Sequence, residues 1–194
     1  MTKMRAYPSD RFGPAPHPRD RHRSENKGRR FFRWLGKTFL TLVLLIVLLS
    51  FLLVLPLRWV DPTTTAFMLQ DNSGIHPLQL EWVDWPDIGD ALPIAVVASE
   101  DQKFARHMGF DVKSIRDSVD EYAEGQSLRG ASTITQQVAK NLYLWPGRSF
   151  LRKGIEAYFA ALLEAVLSKR RILEIYLNIA EFGPGIYGAG AASA

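Results

Sequence analysis

Along its first sixty residues the chain changes character twice. Residues 1–28 mix Arg, Pro, Ser, Asp and His with little apolar periodicity. That pattern predicts a disordered, solvated tail. Thr38–Leu57 is then a run of twenty residues without a charged side chain, mostly Leu, Val, Ile and Phe. As a helix rising roughly 1.5 Å per residue, it spans about 30 Å, the hydrocarbon thickness of a bilayer. A buried core helix is seldom so long and so apolar on every face. A cleaved signal peptide has a shorter apolar stretch, of roughly 7–15 residues, and a small-x-small cleavage site. Here the run leaves through Pro56-Leu57-Arg58-Trp59. The pattern predicts an uncleaved signal anchor.

Residues 61–93 are rich in Pro, Asp and Trp and weakly periodic. Thr63–Met68 and His76–Trp82 read as short strands or loops, with Trp82, Trp85 and Pro86 packing on the body that follows. From Leu92 the spacing turns helical. Ile94, Val96, Val97 and Phe104 suit a helix carrying Glu100 and Asp101. Thr133-Ile-Thr-Gln136 matches a capping box and predicts a helix through Leu144, with Gly130 turning the chain into it. Ser149 suits the cap of a long helix with Ile155, Phe159, Leu162, Leu163, Val166 and Leu167 on its apolar face. Arg171–Ile179 predicts another helix, ended by Gly183-Pro184-Gly185. Gly188–Ala194 reads as a closely packed small-residue segment. Val112–Arg129, polar and glycine-containing, is expected to be a mobile lid. No repeat is visible, and no strand-then-glycine loop of the nucleotide-binding kind occurs. The fold class is mainly α. The expected divisions are a basic tail over 1–37, an anchor over 38–57, a membrane-proximal linker over 58–93 and a catalytic domain over 94–194.

Charge sharpens this picture. The chain has 194 residues and a formal net charge of +4, unevenly divided. Residues 1–37 hold eleven lysines and arginines against three acids, and residues 58–194 hold thirteen against seventeen. The excess positive charge lies in the tail, so a nucleic-acid partner is not indicated. Arg29, Arg30, Arg33 and Lys37 precede the apolar run, which predicts a cytoplasmic N-terminus and an outward-facing domain. Trp34 and Trp59 suit the two interfaces. There is no cysteine, hence no disulfide and no cysteine-based metal site.

Two blocks concentrate chemistry, Ser99–Asp111 and Gly130–Asn141. Taken singly, their members have ordinary readings. Glu100-Asp101 is a common surface pair. Arg152 and Glu156 at i, i+4, and Lys153 and Glu156 at i, i+3, are common helix ion pairs. Together, Glu100 and Glu156 with Lys140, Arg148, Arg152 and Lys153 form the set that glycosyl transfer with a diphosphate leaving group requires. One carboxylate removes a proton from a weakly acidic sugar hydroxyl. Fixed cations stabilise the charge growing on the departing diphosphate. Cleavage of a sugar–sugar bond instead needs a protonated carboxylic acid, which clustered cations oppose.

On these motifs the chain resembles the monofunctional biosynthetic peptidoglycan glycosyltransferases, whose module also forms the polymerising half of class A penicillin-binding proteins. Five blocks occur in order: EDQKFARHMGFD from Glu100, GASTITQQVAKNL from Gly130, RKGIE from Arg152, KRRILEIYLN from Lys169 and GIYGAGAAS from Gly185. The resemblance covers residues 60–194. It implies a lysozyme-like helical fold and inverting polymerisation of lipid II, releasing undecaprenyl diphosphate. By matched position it implies Glu100 as general base and Glu156 as the second essential carboxylate. It implies Lys140, Arg148, Arg152 and Lys153 as diphosphate and sugar-phosphate binders, and Ser132, Thr133, Gln136, Gln137 and Asn141 as cleft lining. Asp101, Phe104 and His107 shape the site around Glu100; for Phe104 and His107 a structural role and direct contact both stand open. No cofactor is required, although in the family a divalent cation, magnesium or manganese, can assist at the diphosphate. The implied partners are lipid II, lipid-linked glycan, the cytoplasmic membrane and cell-wall assembly proteins.

Three departures from the family pattern stand out. Ala131 replaces the second glycine of bifunctional relatives, which fits the monofunctional branch. Gly190 stands where relatives often carry Glu or Gln. The chain stops at Ala194 inside the last block, so a C-terminally truncated domain is expected. The alternatives are an anchored glycan hydrolase on a lysozyme-like scaffold, and an inactive fragment or binding-only partner.

Overall fold

The computed structural model describes residues 18–114, 116–117 and 132–194, with side chains from residue 29 onward. Most of the expected lid at 112–129, and the turn at Gly130 and Ala131, fall outside the described residues. The described residues form two compact units, divided between Leu48 and Leu49.

The first unit is built on helix α1 (Pro18–Val54), whose last residues belong to the second. The helix starts well before the apolar run, so residues 18–28, expected as part of a disordered tail, are helical. Arg, Glu and Lys are frequent there and are good helix formers. Arg29–Arg58 is long and apolar enough to cross a membrane, and only 17% of its most apolar stretch is buried.

In the second unit, a 3-10 turn at Leu55–Arg58 leads to α2 (Ala66–Leu69). A strand or loop was expected at Thr63–Met68. Instead the Thr65 hydroxyl accepts a hydrogen bond from Met68 N at 3.1 Å and caps a single helical turn. Strand β1 (Gln79–Leu80) and a 3-10 turn at Trp85–Asp87 follow. Then come α3 (Ala91–Glu100), α4 (Ile134–Tyr143), α5 (Phe150–Val166) and α6 (Lys169–Ile179). The chain closes with β2 (Glu181–Gly183), β3 (Ile186–Tyr187) and α7 (Gly188–Ser193). The sheet runs β1-β3-β2, with β1 parallel and β2 antiparallel to β3. Gly183-Pro184-Gly185 therefore forms a hairpin rather than a plain helix stop. Gly185 turns it at φ +71°.

The core lies where α4 packs on α5 and α6. Ile134, Val138, Leu163, Ile172, Ile175 and Leu177 are fully buried there. The stretch expected as a linker contributes Met68 and Ile88 to the same core, with Trp82 and Trp85 packed against it, and Leu57, the last residue of the expected anchor, joins them. It is drawn in by side chains of α6. Asn178 is fully buried; its Oδ1 accepts from Val83 N at 2.8 Å and its Nδ2 donates to Val83 O at 2.9 Å. Arg171 donates to the carbonyl oxygens of Leu57 and Val60 and to Asp61, while Glu174 accepts from Trp85 N.

The first turn of α6 carries three consecutive cations at the positive end of a helix, an unfavourable place for them. Each lies over an aromatic ring: Lys169 over Phe104 at 4.4 Å, Arg170 over Trp85 at 5.2 Å and Arg171 over Trp82 at 5.4 Å. Such contacts contribute about 0.5–1 kcal/mol each where exposed and more where dry. At the other end of α6, Gly188 has φ +82°, and a Cβ there would stand 2.5 Å from the Asn178 carbonyl oxygen. Gly190 packs on the Glu81 backbone and Val83 so closely that a Cβ would collide with both. Here the main chain itself leaves no room for a larger side chain.

Replacing Asn178 by Ala would strand two Val83 backbone groups without partners. Asn178→Ala should cost about 2–4 kcal/mol of stability, read as a lower denaturation midpoint of the detergent-solubilised chain. An unchanged midpoint would show that water reaches Val83.

Candidate active site

Glu100 is the last residue of α3, and its exposed side chain lines a cavity of about 270 Å3. Asp101, Lys103, Asp111, Ser132 and Thr133 line it too. Gln137, one turn into α4, donates from Nε2 to Glu100 Oε2 at 2.9 Å. Among the described residues this is the only hydrogen bond to Glu100, so one carboxylate oxygen stays available to the cavity.

Asp101 turns the other way and is buried. Its oxygens meet His107 Nε2 at 2.8 and 2.9 Å, and Oδ2 accepts from Ile134 N at 3.1 Å. A carboxylate at the positive end of α4 is favourable. Next to it, the Thr133 hydroxyl donates to Gly109 O and accepts from Gln136 N, while Gln136 Oε1 accepts from Thr133 N. The capping box read from the sequence is complete. Asp101, Thr133 and Gln136 thus have their polar groups largely occupied in holding the start of α4, while His107 braces Asp101 through Nε2 and its buried Nδ1 has no partner among the described residues. Phe104 is 3% exposed and belongs to the core. Of these, Asp101 and Thr133 still contribute surface to the cavity.

Glu156 lies inside α5 at 2% exposure. Arg152 Nη1 donates to its Oε2 at 2.8 Å, and Lys153 Nζ donates to Oε1. Lys153 also reaches Ser132 Oγ at 3.1 Å, which joins this cluster to the Glu100 cavity. Arg152 Nε is buried and has no partner among the described residues. Arg148, exposed, shares a cavity of about 330 Å3 with Arg152 and Lys153. Lys140 projects from α4 into a smaller cavity with Asn141, Gln137, Tyr176 and Glu181. Its ammonium sits 4.9 Å from the Phe67 ring centroid and has no carboxylate within salt-bridge distance among the described residues. Burial pushes the Lys140 pKa down, Glu156 opposes that shift, and Arg152 and Lys153 reinforce it. An ammonium so placed gains from an incoming anion. Among the described residues no group of three His, Asp or Glu is gathered to hold a metal ion. With Glu156 already engaged by two cations, these residues do not fit a resident divalent ion.

Several groups of the site were absent from the sequence reading. Lys103 Nζ bonds Asp111 at 2.7 Å and Ser114 Oγ at 3.1 Å, bracing the cavity wall opposite α4. Tyr176 on α6 donates from its hydroxyl to Gln137 Oε1 at 3.3 Å. Burial, and then the charge of Glu100, push its pKa up to about 12. Between Ile175 and Leu177, Tyr176 reads as one more core residue. Only the fold brings its hydroxyl to Gln137.

Residues 69–194 match the family model described as Transglycosylase. The chain is 56% identical over 136 residues to the biosynthetic peptidoglycan transglycosylase of Shewanella frigidimarina, covering 70% of this chain and 59% of that protein. It is 53% identical over 150 residues to the namesake from Pseudomonas entomophila, covering 74% of this chain and 64% of the relative. With that of Stutzerimonas stutzeri the identity is 52% over 158 residues, covering 78% and 65%. The chain therefore spans 59–65% of the length of these relatives.

The hydrogen bonds from Lys103 and Ser114 hold the Asp111 carboxyl well below its ordinary value of 3.8. A lowered folded-state pKa contributes stability above the unfolded value, and this is lost as pH falls through the folded value. Asp111→Asn should therefore lower the melting temperature at pH 7. The gap to wild type should narrow between about pH 4 and about pH 2. A gap constant with pH would place the loss elsewhere than in this ion pair.

Proposed function

This chain belongs to the transglycosylase family, and from that premise we infer that it polymerises lipid II into peptidoglycan glycan strands at the outer face of the cytoplasmic membrane. The observation that carries the reading is the grouping of Lys140, Arg152 and Lys153 around one buried carboxylate, Glu156, with Arg148 beside them. Positive charge exceeds negative there, and Arg152 Nε has no partner among the described residues. Such a cluster suits a diphosphate as leaving group. It would disfavour the protonated acid that a glycan hydrolase needs.

In the proposed step, the 4-hydroxyl of the N-acetylglucosamine of lipid II attacks C1 of the lipid-linked N-acetylmuramic acid at the strand's reducing end. The new C1–O bond forms as the C1–O bond to phosphate breaks, with inversion. Glu100 takes the hydroxyl proton. The electron pair leaves on undecaprenyl diphosphate, which Lys140, Arg148, Arg152 and Lys153 stabilise. Glu156 fixes the geometry of Arg152 and Lys153 on the donor side. Ser132 and Asn141 line the path between acceptor and donor, and Gln137 steadies the base.

For such a substrate an anchor has a physical use. The reacting sugars hang from lipid, so a domain tethered to the same surface meets them at high local concentration. The basic residues ahead of the apolar helix orient the N-terminus to the cytoplasm and the domain outward. Lipid-linked glycan and cell-wall assembly proteins are the partners this placement offers.

Glu100→Gln should slow polymerisation of purified lipid II by about 10²–10⁴-fold, with an unchanged circular dichroism spectrum. Near-wild-type rates would remove Glu100 from the base role. Lys140→Ala should raise the lipid II concentration needed for half-maximal rate; an unchanged concentration dependence would show that its charge does not reach the donor. Digestion of preformed glycan in place of polymer formation would favour the hydrolase.

A further inference from the structure

A proton-abstracting carboxylate needs a fixed direction as much as a suitable charge. Glu100 is poorly placed for that by itself. It ends α3 and its side chain is exposed. Its one tether among the described residues is the Gln137 amide. That amide is also a long, rotatable group whose two ends differ. The nitrogen end donates and the oxygen end only accepts. Turned the wrong way, it would set a carbonyl oxygen against a carboxylate.

Tyr176 supplies the missing constraint. It sits on α6 at 8% exposure, its ring fixed in the core, and its hydroxyl meets Gln137 Oε1 at 3.3 Å. No other hydrogen bond of that hydroxyl occurs among the described residues. The ionisation of Tyr176 lies near 12, so the hydroxyl keeps its proton and remains a donor. The three groups form one directed chain: the Tyr176 hydroxyl to Gln137 oxygen, then Gln137 nitrogen to Glu100 oxygen. The other carboxylate oxygen is left facing the cavity.

We propose that Tyr176 is a positioning residue, which fixes the orientation of the Gln137 amide and through it aims the Glu100 carboxylate at the acceptor hydroxyl. The assignment rests on the reading of Glu100 as the base. Tyr176 also lines the Lys140 cavity, but in this scheme it acts through Gln137 and not on sugar or diphosphate. It acts on the geometry of attack, where a misplacement of about 1 Å can cost about 100-fold in rate. Removing it should lower turnover and leave lipid II binding alone.

The test uses the full chain in detergent and Tyr176→Phe, which keeps the buried ring. Its first arm needs no activity. The Gln137 side-chain NH2 pair is identified in a 15N–1H spectrum by its loss in Gln137→Ala. In wild type the two protons should be well separated, one of them bonded to the carboxylate. Glu100→Gln and Tyr176→Phe should both move the pair toward the position of a free amide. A pair unmoved in Tyr176→Phe would overturn the proposal whatever the enzyme does. The second arm is kinetic. Tyr176→Phe should lower kcat about 10-fold with KM within about twofold. The double variant Tyr176→Phe/Gln137→Ala should be no slower than Gln137→Ala alone, because both changes break one chain. Additive losses, or a loss confined to KM, would assign Tyr176 a role other than positioning. If wild type forms no polymer, the lipid II reading fails, and the spectroscopic arm still decides whether Tyr176 orients Gln137.

Discussion

The bond from Ile134 N to Asp101 is the constraint on which the site depends. It joins the two polar blocks of the chain across 33 positions. One carboxylate caps the positive end of α4, grips His107 and fixes where α3 must stop. Because Asp101 turns inward, its neighbour Glu100 is left facing the cavity. Because α4 is pinned at its first residue, Gln137 and Lys140 project from known heights along it. The pair Glu100-Asp101 thus divides its labour by direction: one carboxylate is structural and buried, the other accessible. An acidic pair that looks redundant in sequence is asymmetric in space.

α4 separates two electrostatic settings. On the side of Glu100, the polar partners are an amide, hydroxyl groups and the Lys103–Asp111 pair. On the side of Glu156, they are guanidinium and ammonium groups. Ser132 and Lys153 connect the two sides through a single hydrogen bond. This arrangement suits a transfer in which a neutral hydroxyl loses a proton at one end while a diphosphate gains a further negative charge as it departs at the other. Each end needs different charge surroundings, and the helix between them contributes Gln137 to one and Lys140 to the other.

Much of the fold was legible because its helices announce themselves locally. Thr133 with Gln136, Ser149 and the periodic leucines all act within a few residues, and each predicted cap is present. What escaped was long-range. The sheet unites Gln79–Leu80 with Ile186–Tyr187, segments too short and too far apart for alternation to reveal. In the site, the sequence supplied the residue types and the resemblance supplied their order. Neither could divide Asp101, Thr133 and Gln136, committed to capping α4, from Gln137 and Lys140, which face outward on its next turn. That division depends on rotation about the helix axis, which the capping box sets. Tyr176 was invisible for a related reason: its ring is core and only its hydroxyl is not.

The three cations that open α6 set a subtler condition on the residues beneath them. Phe104, Trp82 and Trp85 bury apolar surface, as Leu or Ile could. They also present the electron-rich faces of their rings to Lys169, Arg170 and Arg171. An aliphatic side chain of equal volume would fill the space and remove the ring's share of the compensation, leaving Lys169 to Glu164 and Arg171 to Asp61 and Glu174 at the wrong end of a helix dipole. Substitution at these positions is therefore governed by quadrupole moment as well as by hydrophobicity. A scale that ranks residues by oil-like character would misjudge them.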